Sequence, residues 1–223
     1  MWNSFFSNIQ KKYSMKLSTK QPLIVRFDGK DVTKNANIDL LDLSKNSFYD
    51  NLKKTAKYFT EKYNCLAILG SDEISFIIEN PNTLLKDLSS DSTNFSNEVI
   101  SVFSQYFFQY FSHFDSTKII FWHGKCFSIP KGKEISYIKY RARIIENVIT
   151  TYFLKRKGIP NCGVIPLEER LNMCKTYKDY SKISNIKNGT LIFNGNEIDL
   201  KEYYNGNIVK IDNIDESIFD NIL

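Results

Sequence analysis

The order of apolar segments in the first half of the chain constrains the fold most. A short apolar segment, residues 22–27, precedes Asp28-Gly29, and two further short apolar segments cover residues 65–69 and 74–78. Between them, apolar residues recur at helical spacing: Phe48, Leu52, Ala56, Phe59 and Tyr63. Short apolar runs bounded by turn residues predict buried strands, and the 3.6-residue period predicts a helix of about five turns. The sequence therefore predicts a β-α-β-β unit whose last two strands form a hairpin.

The next part of the chain again alternates predicted helices and strands. A helix is predicted over residues 95–114, strands near 117–121 and 125–129, and a third helix along Ile138–Tyr152 that ends before Gly158 and Pro160. A short helix is also predicted over residues 4–15. The order β-α-β-β-α-β predicts an α+β, ferredoxin-like fold, the arrangement of polymerase palms and nucleotide cyclases. We expect residues 1–155 to form this palm and residues 156–223 a C-terminal extension packed on it.

Composition excludes some classes of protein. Of 223 residues, 42% are hydrophobic, which is enough for a core, and the net charge of +5 is compatible with a phosphate-bearing partner. Four cysteines are scattered without a C-x-x-C pair, which indicates reduced thiols rather than a zinc site. We find no signal peptide and no apolar run of 18 residues, so the expectation is a cytoplasmic protein that does not cross a membrane.

The chemistry is indicated by acids at two turns. Asp28 ends the first predicted strand, and Asp72-Glu73 occupy the hairpin turn 44 residues later. In a β-α-β-β unit the first strand and the hairpin are neighbours in one sheet, so the two acidic sites can meet at one edge. Phosphoryl-type transfer uses two metal ions about 4 Å apart, and Mg²⁺ is held by a few carboxylates together with substrate oxygens. The pattern predicts catalytic acids Asp28, Asp72 and Glu73.

Other candidate residues for metal and phosphate contacts are identified by their position relative to these acids. Gly29 has no side chain, so its carbonyl can approach a metal. Lys30 and Lys34 follow Asp28 and are candidates for phosphate contacts, and a basic region on the third helix includes Arg141 and Arg143. The two histidines, His113 and His123, lack metal-ligand spacing and are interpreted as structural or surface residues. The aromatic residues of the second helix are interpreted as core or as an oligomer interface.

Two motifs resemble a known family. R-F-D-G-K at residues 26–30 and G-S-D-E-I-S-F at residues 70–76 are similar to the metal-binding motifs of the tRNA-His guanylyltransferases and their bacterial and archaeal relatives. The resemblance implies nucleotide addition in the 3′-to-5′ direction, from GTP or ATP, to the 5′ end of tRNA or a related RNA. It implies two Mg²⁺ ions on Asp28, the Gly29 carbonyl and Asp72, with Glu73 in support. The predicted nucleotide contacts are Lys30, Lys34, Lys45, Ser71 and Arg141.

The resemblance is not uniform along the chain. Where the family has a His-containing helix motif, H-I-N-N-L-Y-N, this sequence reads E-N-V-I-T-T-Y at residues 146–152. Two alternatives therefore stay open: a palm enzyme that makes a signalling nucleotide from triphosphates without RNA, and a palm that binds without catalysis. By analogy with the family, a homo-oligomer, dimer or tetramer, is expected.

Overall fold

The computed structural model describes residues 6–8, 17, 20–82, 84, 92–111 and 120–204. The strands in this part of the chain are β1 (Leu23–Gly29), β2 (Leu66–Gly70), β3 (Glu73–Ile78), β4 (Trp122–Ser128), β5 (Thr190–Phe193) and β6 (Asn196–Asp199). The α-helices are α1 (Val32–Asn35), α2 (Phe48–Tyr63), α3 (Ser92–Tyr110), α4 (Glu134–Arg156), α5 (Leu167–Lys175), α6 (Ser184–Lys187) and α7 (Leu200–Tyr204). Short 3₁₀ segments cover Cys162–Val164 and Lys178–Ile183.

The six strands form one antiparallel sheet in the order β4-β1-β3-β2-β5-β6. Its first four strands have the ferredoxin-like order, which confirms the predicted fold class. Asp28 on β1 lies opposite Glu73 on β3 and opposite His123 on β4. Residues that are directly opposite each other in an antiparallel pair point to the same face of the sheet, so the register places these three on one face.

Helices α2 and α3 cover the other face with aromatic side chains. The ring of Phe27 stacks on Phe103 with centroids 4.0 Å apart, and Trp122 packs edge-on against Phe103 and Phe107. Helix α2 begins at the cap residue Ser47, whose hydroxyl accepts from the Asp50 amide. Most aromatic residues of α3 pack against the core, which is one of the two interpretations that the sequence offered for them.

Helix α4 packs on the face that carries the acids. The Tyr137 hydroxyl donates to the Ser75 hydroxyl at 3.1 Å, and a Cβ on Gly70 would lie 2.4 Å from an Ile145 methyl group. Only glycine at the end of β2 therefore allows α4 to approach the hairpin this closely. The helix ends as the sequence predicts, with Gly158 in the left-handed region at φ 80°.

Some sequence expectations differ from the structure or lie outside the described residues. The strand predicted over 125–129 corresponds to β4, which begins earlier, at Trp122. Of the strand predicted over 117–121, Ile120 and Phe121 are not in a strand, and residues 117–119 lie outside the described residues. Residues 6–8 are helical, whereas the rest of the helix predicted over 4–15 and His113 itself lie outside the described residues.

Beyond residue 155, β5 pairs with β2 and so continues the palm sheet, and α5 packs on α4. The division of the chain at residue 155 stays a prediction. Among the described residues, the helices include none long and apolar enough to cross a membrane.

Candidate active site

The turn between β2 and β3 lies against the end of β1. The Gly29 amide donates to the Asp72 carbonyl at 2.9 Å, which joins the two acidic segments through their backbones. A Cβ on Gly29 would lie 2.6 Å from a Val32 methyl group, so a side chain is not tolerated without movement. Ser71 has a left-handed backbone, φ 53°, which allows the two-residue connection between the strands. The structure thus brings Asp28 and Asp72 to one edge of the sheet.

Both aspartates are held in surroundings that disfavour their charged form. Burial raises the pKa of Asp28, and the nearby Arg26 guanidinium opposes that increase. Burial also raises the pKa of Asp72, to about 6, with a further increase from the Asp28 carboxylate and a decrease from the Ser71 hydroxyl, which donates at 2.6 Å. Carboxylates that are desolvated and close together gain from a bound cation.

This electrostatic cost predicts a stability change at Asp72. The folded-state pKa of about 6 exceeds the ordinary value of 3.8, so ionised Asp72 destabilises the fold at pH values above 6, and below 3.8 the penalty is absent. In EDTA, Asp72→Asn should be more stable to urea than wild type above pH 6. The difference should shrink as the pH falls from 6 to 3.8. A variant that is less stable than wild type above pH 6 would contradict this electrostatic assignment.

Glu73, the second acid of the turn, contacts two arginines. Its Oε2 accepts from Arg26 at 3.1 Å, and its Oε1 accepts from the guanidinium of Arg141 on α4. The same Arg26 nitrogen lies 3.4 Å from Asp28 Oδ2. Arg26 therefore links the two carboxylates, while Arg141 is 1% exposed and is held by its ion pair with Glu73.

Arg141 was predicted from the sequence to contact the nucleotide as part of a basic surface. The structure places it in the interior because the helical period turns it toward the sheet, where Glu73 neutralises its charge. Arg143 is exposed but pairs with Glu146 and Glu168. This corrects the expectation of a surface position for Arg141. Lys131 and Lys139 of the predicted basic region are exposed, and phosphate binding by that region stays a prediction.

The other predicted nucleotide contacts lie around the turn and in the loops. Lys30 follows β1 directly, is exposed, and donates its amide to the Phe121 carbonyl at 2.8 Å. Lys34 is 81% exposed beside Asp31, and Lys45 is exposed just before α2. Ser71 is buried, with its hydroxyl on Asp72. Nucleotide binding by these four residues remains a prediction.

Sequence reasoning assigned no role to Arg26 or Lys125. In a strand, residues two apart share a face, so Arg26 lies on the face of Asp28. Lys125 lies opposite Arg26 and is exposed, as is His123 opposite Asp28. The period of two identifies Arg26 from sequence alone, whereas His123 and Lys125 required the register of β4.

The donor set at this edge suits a hard divalent cation. Two carboxylates, Asp28 and Asp72, could supply oxygens together with the Gly29 carbonyl, and Mg²⁺ commonly takes only one or two carboxylates plus phosphate oxygens and water. Within the described ranges, no group of three or more His, Cys, Asp or Glu side chains is placed to hold a metal. A metal at this edge would therefore depend on substrate oxygens for much of its coordination.

The fold has solved counterparts. A bacterial tRNA(His) guanylyltransferase-like protein in complex with ATP matches with a TM-score of 0.59 and 18% identity over 86% of this chain and 84% of that one. The corresponding protein in complex with GTP gives 0.56 and 17%, over 86% and 83%. The tRNA(His) guanylyltransferase from Saccharomyces cerevisiae gives 0.51 and 19%, over 82% and 89%.

No protein-family model matches the chain, and no curated protein sequence matches it. At identities of 17–19% the structural likeness establishes the fold. The chain therefore has the palm fold of the tRNA(His) guanylyltransferase-like proteins, which confirms the structural side of the resemblance seen in its motifs.

Proposed function

We propose that this chain is a two-metal nucleotidyltransferase that adds nucleotides from GTP or ATP to the 5′ end of tRNA or a related RNA. The observation that carries the proposal is the junction of Asp28 and Asp72 at one edge of the sheet, joined by the hydrogen bond from the Gly29 amide to the Asp72 carbonyl. The solved proteins with this fold are described as guanylyltransferases or guanylyltransferase-like, two of them with ATP or GTP.

Each residue has a definable part in such a reaction. Asp28, Asp72 and the Gly29 carbonyl would hold Mg²⁺, which on binding neutralises charge on the phosphates and activates the attacking hydroxyl. Gly29 allows the end of β1 to approach Val32 and the Asp72 turn closely, because a Cβ there would lie 2.6 Å from a Val32 methyl group. Lys30, exposed next to Asp28, is placed to contact phosphate oxygens. With an RNA that carries a 5′ triphosphate, the 3′-hydroxyl of the incoming nucleotide would attack the α-phosphorus and lose its proton to solvent; the new phosphodiester bond would form as the bond to pyrophosphate breaks and pyrophosphate leaves.

A specific observation favours a second candidate, a palm enzyme that condenses triphosphates without RNA. Arg141 is buried and Arg143 is already paired with acids, so neither of these two arginines of α4 is available for an RNA phosphate without breaking an ion pair. Glu146, an acid at the position where the tRNA-His guanylyltransferases have a histidine, also disfavours RNA phosphate binding at α4. RNA remains the preferred acceptor because Lys125 and His123 are exposed on the face of Asp28.

Product analysis separates these candidates. The protein is incubated with Mg²⁺ and α-labelled GTP or ATP, with and without a tRNA transcript that carries a 5′ triphosphate. Label at the RNA 5′ end, removed by a 5′-directed nuclease, is the expected result. A small labelled product that forms equally well without RNA would instead establish the second candidate. An absence of any labelled product with either substrate would refute both.

The same assay tests the metal. Activity should require Mg²⁺ or Mn²⁺, be abolished by EDTA, and return when Mg²⁺ is restored. Zinc should not substitute, because the ligands at this edge are hard oxygens and the described cysteines, Cys65, Cys126, Cys162 and Cys174, are all buried as free thiols. Full activity in EDTA, or selective activation by zinc, would contradict the assignment.

A further inference from the structure

The carboxylate of Glu73 is surrounded by positive charge. One oxygen accepts from Arg26 and the other from Arg141, and the residue is only 6% exposed. A metal ion bound to either oxygen would add a divalent charge beside two guanidinium groups with little solvent to screen them. These two guanidinium groups disfavour Glu73 as a metal ligand, although Glu73 directly follows Asp72 in the sequence.

Glu73 instead determines where Arg26 lies. The Arg26 side chain is 16% exposed, lies within β1 two residues before Asp28, and contacts both Glu73 and Asp28 through one nitrogen. Without Glu73, a flexible arginine at this position would have only the longer 3.4 Å contact to Asp28 to hold it. The Nε atom of Arg26 is buried without a hydrogen-bond partner among the described residues. The contacts of Arg26 with Glu73 and with Asp28 both go through another nitrogen, Nη2.

Arg141 connects the same carboxylate to α4. It is buried on that helix 68 residues away in sequence from Glu73, and its own Nε also lacks a partner in the described part of the chain. The ion pair is therefore the contact through which α4 holds the first residue of β3, and the Tyr137–Ser75 hydrogen bond supports it from the preceding turn of the helix. The position of Arg26 therefore depends on the position of α4, because Glu73 contacts both Arg26 and Arg141.

We propose that Glu73 is a positioning residue, which, clamped by Arg141 of α4, fixes the Arg26 guanidinium beside Asp28 and does not itself bind metal. The inference rests on the proposed function, since the edge it organises is the nucleotidyl-transfer site. Arg26 then presents a fixed cation beside the acids, which would orient the anionic substrate at the same edge. Positioning groups behind metal-site residues commonly change activity or affinity about 10–100-fold when removed.

The test separates ligation from positioning by measuring Mn²⁺ binding without substrate. Free Mn²⁺ is titrated by electron paramagnetic resonance against wild type, Asp72→Asn and the double variant Glu73→Met/Arg141→Met. The double variant removes one negative and one positive charge together, so neither partner is left buried alone. We expect its Mn²⁺ affinity to stay within about threefold of wild type, whereas Asp72→Asn should weaken binding about tenfold or more. A double variant as weak as Asp72→Asn would overturn the inference.

A kinetic cycle tests whether Glu73 acts through Arg26. Arg26→Met and the Glu73→Met/Arg141→Met pair should each lower kcat about tenfold or more, and the triple variant should fall no further, because both changes remove the same fixed guanidinium. Multiplicative losses in the triple variant would overturn the inference. Melting temperatures confirm that each variant folds. If the double variant does not, Glu73→Leu/Arg141→Leu, which also removes both charges and fills the space with apolar side chains, replaces it in the same cycle.

The two proposals fail in different ways. A wild-type chain that binds Mn²⁺ but transfers no nucleotide would refute the proposed function, and the Mn²⁺ comparison would then decide the inference alone. A wild-type chain that transfers nucleotide, with a double variant that loses Mn²⁺ affinity, would refute only the inference. If wild type binds Mn²⁺ only with a non-hydrolysable GTP or ATP analogue, the comparison is made with the analogue present. A wild-type chain with no Mn²⁺ affinity either alone or with the analogue would refute both.

Discussion

Replacing either Asp28 or Asp72 by asparagine should lower nucleotidyl transfer about a thousand-fold or more, equivalent to a loss of about 4 kcal/mol in transition-state stabilisation. Each change removes a negative charge at the edge where β1 meets the hairpin. Asp28 is 41% exposed and Asp72 is half-buried with its side chain on the Ser71 hydroxyl, so neither belongs to the apolar core. Steady-state rates with saturating Mg²⁺ and triphosphate measure the effect.

The matched control is Asp42→Asn, which makes the same change on an exposed loop where the side chain accepts from the Ser44 amide. It should keep wild-type rates. Urea unfolding of Asp72→Asn, which is expected to be at least as stable as wild type above pH 6, separates a loss of activity in that variant from unfolding. Wild-type turnover in either site variant would remove that residue from the active site.

Breaking the buried ion pair should cause the largest loss of stability, and the two partners should differ. Glu73→Gln leaves Arg141 buried without a carboxylate, and an uncompensated buried charge costs about 3–5 kcal/mol. Arg141→Met leaves Glu73 still paired with Arg26 at 3.1 Å, so its cost should be smaller, about 1.5–3 kcal/mol for a lost hydrogen bond to a charged group. Urea unfolding at neutral pH measures both.

The order of the two effects is the informative result. Equal losses would indicate that Arg26 contributes nothing to the neutralisation of Glu73. A larger loss in Arg141→Met would indicate that Arg141 stabilises the fold by packing of its side chain rather than through its charge. Arg143→Met on the same helix, which removes an exposed pair, is the matched control and should cost about 1 kcal/mol or less.

The fold could be predicted because its signals are local. Strands β1 to β3 and helix α2 each carry their own period and turn residues, and Gly158 ends α4 where the sequence indicated. The strand β4 was less predictable, because residues 120–121 are apolar yet precede the strand. Apolar composition predicts burial for both residues, whereas Ile120 is buried and Phe121 is 56% exposed. Only the pairing with β1 fixes where the strand begins.

The acids of the candidate site could be predicted from the sequence, whereas the positions of its basic side chains could not. Asp28 and Asp72 follow from the position of turns in one supersecondary unit, and the structure brings those turns together. Arg141 could not be assigned, because whether a helical arginine faces solvent or the sheet depends on the crossing of α4 over β3. Its partner, Glu73, is 68 residues away, and no local pattern encodes that contact.

Diffraction at the manganese absorption edge, from crystals grown with Mn²⁺ and a non-hydrolysable GTP or ATP analogue, tests the central claim most directly. The account predicts anomalous peaks within about 2.5 Å of carboxylate oxygens of Asp28 and Asp72, with phosphate oxygens of the analogue completing the coordination. Glu73 should still contact Arg26 and Arg141. A triphosphate bound elsewhere, or manganese bound away from both aspartates, would contradict the account.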